Sequence, residues 1–136
     1  MAVVILHAKT KCVGMVHVAL PDSSIDTTNK VRTKPGYFAD TGIPALIKLM
    51  QSMGCNGPGR SGGLTVKIAG GANVMKCNDT FQIGKRNALA VKKILWSYGL
   101  APLAEDIGGT ISRTITVAVN TGEIILSQPA KGEWRL

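Results

Sequence analysis

The stretch that most constrains the fold is Val13-Gly14-Met15-Val16-His17-Val18-Ala19-Leu20-Pro21-Asp22, an apolar run carrying one histidine and closed by Pro-Asp. Such a run reads as a strand, here Cys12–Leu20, entering a turn. A histidine inside it costs free energy unless it is hydrogen-bonded or put to use. Upstream, Ala2–Leu6 is continuously apolar and β-branched, the pattern of a buried strand. The polar His7–Lys11 between the two runs predicts an antiparallel hairpin, with His7 solvated beside Lys9.

The remainder alternates helical and extended signals. Asp22–Gly36 is rich in Ser, Asp, Thr, Asn and Lys and reads as a long loop. A helix follows, capped by Asp40 or Thr41, with Pro44 in its first turn. Its apolar residues Ile43, Leu46, Ile47, Met50 and Met53 recur at helical spacing, and Gly54 ends it. Asn56–Gly63 is a glycine-rich connection. Leu64–Ala69 is a strand running into Gly70-Gly71-Ala72-Asn73, and Cys77–Gln82 is a loop. A second helix starts at Ile83-Gly84-Lys85-Arg86-Asn87, buries Ala88, Val91, Ile94, Leu95 and Tyr98, and stops at Gly99. Leu103–Ile107 is a strand on which the adjacent Glu105 and Asp106 face opposite ways. Thr114–Val119 and Glu123–Leu126 flank Asn120-Thr121-Gly122 as a hairpin. Ser127–Leu136 is polar and is expected to fray. With no repeat or linker, the reading is one domain over 1–136, with 1–126 as its core. The fold class is α/β (α+β): a mixed, largely antiparallel β-sandwich flanked by two to three helices.

Charge narrows the partners. Sixteen Lys and Arg against eight Asp and Glu give a formal charge of +8, which favours acidic surfaces. The basic residues are scattered, without the aromatic interleaving of a single-strand binder, so nucleic acid is not an expected partner. Three cysteines without CxxC spacing argue against a disulfide framework or a zinc ribbon and fit a reducing compartment. No run approaches the length of a membrane span and no signal peptide is recognisable. The expectation is a cytoplasmic protein with no metal, no cofactor and no membrane insertion.

Chemistry is sparse by motif. No phosphate loop, HExxH or GxSxG occurs. The loop Gly70-Gly71 could in principle cradle a phosphate, but the pattern around it is wrong. Cys12 and His17 lie five apart on one strand and face opposite sides, so they cannot form a nucleophile–base pair without a bulge. Glu105 and Asp106 are likewise badly disposed for work on a single bond.

Taken together, however, several blocks resemble one family. Gly14–Asp22 is similar to the histidine motif of the CheD chemoreceptor glutamine deamidases. Pro35-Gly36-Tyr37-Phe38-Ala39-Asp40 resembles their Tyr-x-Ala-Asp helix start, with one aromatic extra or shifted. Ala69–Asn73 is similar to their Gly-Gly-Ala turn, Ile83–Asn87 to Ile-Gly-x-Arg-Asn, and Ala104–Gly109 to Ala-Glu-Asp-x-Gly-Gly, while Thr121-Gly122 fits the final hairpin.

The resemblance implies a cysteine hydrolase that converts glutamine side chains on chemoreceptor cytoplasmic domains to glutamate. It also implies the CheC phosphatase as a partner, and a fold similar to the catalytic domain of cytotoxic necrotizing factors. His17 is the residue to which the family's base carries over. Gly70, Gly71, Asn73, Arg86, Asn87, Glu105 and Asp106 either line that site or hold turns and caps. The family's nucleophile belongs to a Gly-Ser-Cys-Val-(Ala/Gly)-Val segment about 17 residues before the histidine, so it would fall immediately before Met1. Its assisting threonine would lie earlier still. Cys12 is in the wrong place to substitute. Two expectations follow: a member whose start is assigned too late, or a cysteine-less homologue retained for binding receptor or CheC. As written, the polypeptide is expected to be inactive. Loss of a leading segment would also leave an unpaired edge beside Ala2–Leu6.

Overall fold

The structure, a computed structural model, describes residues 1–56, 63–74 and 82–136. Strands β1 (Ala2–His7), β2 (Cys12–His17), β3 (Leu64–Gly70) and β4 (Pro102–Ile107) form a sheet in the order β2-β1-β3-β4. β1 runs antiparallel to both β2 and β3, whereas β3 and β4 are parallel. A parallel pair needs a crossover, and helix α3 (Ile83–Ser97) supplies it. Strands β5 (Thr114–Ala118), β6 (Glu123–Gln128) and β7 (Gly132–Arg135) make a second, wholly antiparallel sheet. Helix α1 (Lys30–Thr33) is a single turn, and α2 (Ala39–Ser52) packs against α3 and β2.

Alternation along the strands sorts the residues into two layers. Val3, Ile5, Leu64, Val66 and Ile68 join Ile43, Leu46, Ile47 and Met50 of α2 and Val91 and Leu95 of α3 in one buried cluster. Val4, on the opposite face of β1, is as completely buried, as are Ile124 and Leu126 of β6. The four-stranded sheet is therefore covered on both sides, by helices on one and by the small sheet on the other. Each fully buried Val, Ile or Leu contributes about 1.5–3 kcal/mol to folding.

The mixed sheet-and-helix architecture matches the sequence reading, and several details correct it. β2 ends at His17 rather than Leu20; beyond it the chain bends, and Leu20 makes a lone bridge to Phe38. The expected long loop contains two 3₁₀ turns, Ser23–Ile25 and Pro35–Tyr37, besides α1. Helix α2 starts at Ala39 with Phe38 at its N-cap, and the Asp40 carboxylate instead accepts hydrogen bonds from the Ser23 amide and hydroxyl. Tyr98 is exposed, because α3 already ends at Ser97, and the buried Asn87 takes a place on the inner face. The connections expected at Asn56–Gly63 and Cys77–Gln82 fall almost wholly outside the described residues.

The clearest correction concerns the stretch expected to fray. Residues 127–136 complete β6 and form β7, and the Leu136 amide donates to the Ile124 carbonyl at 3.0 Å. Polarity misleads here because β7 is an edge strand whose one anchoring side chain, Trp134, turns inward. His7 likewise is buried rather than solvated, with its Nδ1 2.7 Å from the Thr10 hydroxyl.

One contact fixes how α3 meets the sheet. Gly71 has φ +68, and its carbonyl oxygen would lie 2.1 Å from a Cβ placed on Gly84. No side chain fits between the two backbones, which explains glycine at both positions. Gly84→Ala should therefore lower unfolding free energy by about 1–3 kcal/mol, read as a lower urea midpoint at unchanged slope.

Candidate active site

In a sheet, residues paired in register share a face, and the register carries His17 onto Ala2, Ala2 onto Ala69, and Ala69 onto Asp106. One row thus crosses all four strands on the side that faces the small sheet. Its two central members are alanines, and their short side chains leave a recess between His17 and Asp106. The recess is a cavity of about 120 Å³ lined by Met1, Ala2, His17, Ala69, Gly70, Arg113 and Ile115. Gly70 closes one wall with φ +110, and a Cβ there would meet the Met1 Cα at 3.2 Å. The glycine lets the two chains approach at the cavity rim.

His17 is solvent-accessible within this recess. The positive Met1 ammonium, and after it partial burial, hold its imidazole below the ordinary 6.5. The neutral form, able to accept a proton, therefore prevails at neutral pH. Because the folded value is depressed, the unfolded chain binds the proton more readily. His17 thus costs stability only as pH falls through 6.5 toward the folded value. The Met1 nitrogen itself donates to the Val18 carbonyl at 2.6 Å, and burial lowers its own pKa. With the Val18 amide donating to the Met1 carbonyl at 2.7 Å, the β1–β2 ladder continues to the first residue.

Arg113 forms the opposite wall. Its Nε and Nη2 donate to Asp106 Oδ1 at 2.8 and 2.7 Å, and its Nη1 to the carbonyls of Gly108 and Ile111 at 2.9 and 3.1 Å. The guanidinium is thereby fixed with its charge balanced. Asp106 is fixed in turn by the Trp134 indole N–H, which donates to Oδ2 at 2.7 Å. Burial opposes ionisation of Asp106, but the indole bond and the Arg113 charge outweigh it and hold the carboxyl below the ordinary 3.8.

The residues singled out from sequence are thus dispersed. His17 and Gly70 line the cavity, and Asp106 supports it from behind. Gly71 and Asn73 serve the turn: the Asn73 amide donates to the Gly109 carbonyl at 2.9 Å, tying it to the Gly108-Gly109 turn. Asn87 is buried, and its Nδ2 donates to the Ala19 carbonyl at 2.9 Å, pinning the chain just past His17. Arg86 lies in a separate groove with Asp22 and Asp40. Glu105 points to the helical layer, where it pairs with Lys92 of α3 at 2.7 Å. Arg113 and Trp134 were not anticipated. Nothing in a lone arginine after Gly-Gly-Thr-Ile-Ser, or in a tryptophan within a polar tail, distinguishes either in sequence.

The class is thus an α+β domain with one exposed histidine at the end of edge strand β2 and a Gly-Gly turn beside it. The family model described as CheD chemotactic sensory transduction matches residues 19–128. A relative from Syntrophotalea carbinolica named "Probable chemoreceptor glutamine deamidase CheD" is 53% identical over 99% of this chain and 82% of its own length. The "Chemoreceptor glutamine deamidase CheD" of Bacillus licheniformis is 35% identical over 95% of this chain and 75% of its own length. The chain belongs to the CheD family. Among the described residues, no helix is long and apolar enough to cross a membrane.

Replacing Asp106 tests the supporting wall. Asp106→Asn leaves a well-buried guanidinium without its counter-charge and should cost about 1.5–3 kcal/mol at neutral pH. Since the folded carboxyl titrates below 3.8, that stabilisation is present above this value and lost as pH falls through the folded one. Urea unfolding at a series of pH values should therefore show the variant and the parent converging in acid.

Proposed function

We propose that this chain is the scaffold of a chemoreceptor glutamine deamidase, a cysteine amidohydrolase that converts receptor glutamine to glutamate with His17 as its base. The names of the relatives support the reaction, and the cavity beside His17 supports the site. In this reading a thiolate attacks the side-chain amide carbon, and backbone donors stabilise the oxyanion. His17 hands a proton to departing ammonia, and water then releases glutamate from the thioester, assisted by the same imidazole. The +8 charge favours approach to an acidic receptor surface.

The observation that carries this reading is the direction of the strand at Met1. Met1 packs into the helix-side core while Ala2 faces the cavity. Alternation turns any residue joined to the Met1 nitrogen onto the His17 face, one step from the imidazole. The Gly-Ser-Cys expected there would deliver its thiol to that position. The alternative, a non-catalytic module that binds receptors or CheC, is favoured by the placement of the two described thiols away from His17. Cys12 sits at the far end of β2 and on its other face, and Cys55 is fully buried.

Ammonia release from a purified receptor cytoplasmic fragment separates the two readings. The sequence as it stands should release none, and the same chain extended by Gly-Ser-Cys at Met1 should deamidate. His17→Ala in the extended chain should then reduce turnover by about 10²–10⁴-fold with receptor binding retained. Binding without turnover in both lengths would favour the module, and turnover by the shorter chain would overturn the assignment of the site.

A further inference from the structure

A second cluster of reactive side chains lies at the opposite end of the β1–β2 hairpin. The turn that joins the two strands folds Thr10 beneath itself, with its hydroxyl 2.7 Å from His7 Nδ1 and 3.4 Å from Cys55 Sγ. The Cys12 side chain packs against the same buried cluster that holds Cys55. Both cysteine backbones are held. Cys12 pairs with His7 at the first rung of β2, and the Cys55 amide donates to the Met50 carbonyl at 3.0 Å, closing the end of α2.

The two sulfurs differ in access and acidity. Cys55 is completely buried, whereas Cys12 is half-buried at the first position of β2. The Thr10 hydroxyl and then Cys55 lower the Cys12 pKa. For Cys55, burial and the neighbouring thiol outweigh the Thr10 bond and raise it. An accessible, acidified thiol beside a buried, protonated one is the arrangement of an attacking and a resolving cysteine.

We propose that Cys12 and Cys55 are a redox-active dithiol that a hydroperoxide converts to an intramolecular disulfide. The Cys12 thiol releases its proton to solvent, and the thiolate attacks the terminal peroxide oxygen. The O–O bond breaks, leaving Cys12 as a sulfenic acid, and the departing alkoxide or hydroxide recovers a proton as alcohol or water. Cys55 sulfur then attacks the Cys12 sulfur, the S–O bond breaks, and hydroxide leaves as water with the Cys55 proton. Two thiols are oxidised by two electrons and one peroxide is reduced. The new bond ties the start of β2 to the end of α2. This chemistry is independent of the deamidase reading, because it uses neither His17 nor its cavity.

The test is a titration of the purified chain with hydrogen peroxide, read by thiol counting in denaturant and by peptide mass mapping. One equivalent should consume two of the three thiols, remove two hydrogens from the intact mass and link the Cys12 peptide to the Cys55 peptide. Dithiothreitol should reverse all three changes. Cys55→Ser should leave a sulfenic acid on Cys12 that a dimedone probe captures. Thr10→Val should slow the reaction by about tenfold, because rate follows the thiolate fraction. A disulfide involving Cys77, a link only between separate molecules, or Cys12 oxidised to sulfinic acid while Cys55 stays free would each overturn the proposal. If Cys55→Ser fails to fold, the peptide map of the unaltered chain still decides.

Discussion

The structure depends on β1 being held by hydrogen bonds along both of its edges. β2 and β3 pair with every residue from Ala2 to His7, so this one strand fixes the register of the whole four-stranded sheet. A shift of one residue would turn Val4 toward the helices and Val3 and Ile5 toward the small sheet, emptying both buried layers at once. The same shift would carry His17 out of line with Ala2 and Ala69. Register, core and cavity are therefore consequences of a single pairing pattern. The cavity exists because the row through His17 has alanine in the two positions where its neighbouring rows carry larger side chains.

The hairpin that sets this register also separates two kinds of chemistry. Six residues of β2 carry His17 at one end and Cys12 at the other, on opposite faces. The imidazole thus opens on the small-sheet side, while the thiol lies on the helical side, against the buried cluster that holds Cys55. Neither group can interfere with the other, although both belong to one short strand. A bulge within β2 would have merged the two sites, and its ladder with β1 is unbroken.

Much of this was legible in the sequence because the inner strands and helices are apolar at regular spacing. The apolar runs located β1 and β3 and the cores of α2 and α3, and the Gly-Gly pair marked the turn beside the cavity. What escaped was long-range and polar. Asp40 has the composition of a helix cap, yet Ser23 offers its carboxylate an amide and a hydroxyl from a distant turn. The polar 127–136 stretch carries too few apolar residues to announce a strand, because one indole bond to Asp106 does the anchoring. His7 reads as solvated beside lysines until Thr10 folds under it. In each case the partner is chosen by the tertiary fold, which local composition does not encode.

The Asp106–Arg113 pair shows why a polar network suits the wall of a cavity of this kind. An unpaired guanidinium facing a histidine would add positive potential and oppose proton uptake by the imidazole. A carboxylate bound through two of its N–H groups cancels most of that field while preserving the geometry, and Trp134 prevents the carboxylate from rotating away. The cost is the burial of two charges, which the four hydrogen bonds from Arg113 and the indole bond offset. A hydrophobic wall would have been simpler to bury. It would not have fixed a charged side chain opposite a neutral imidazole with its charge balanced.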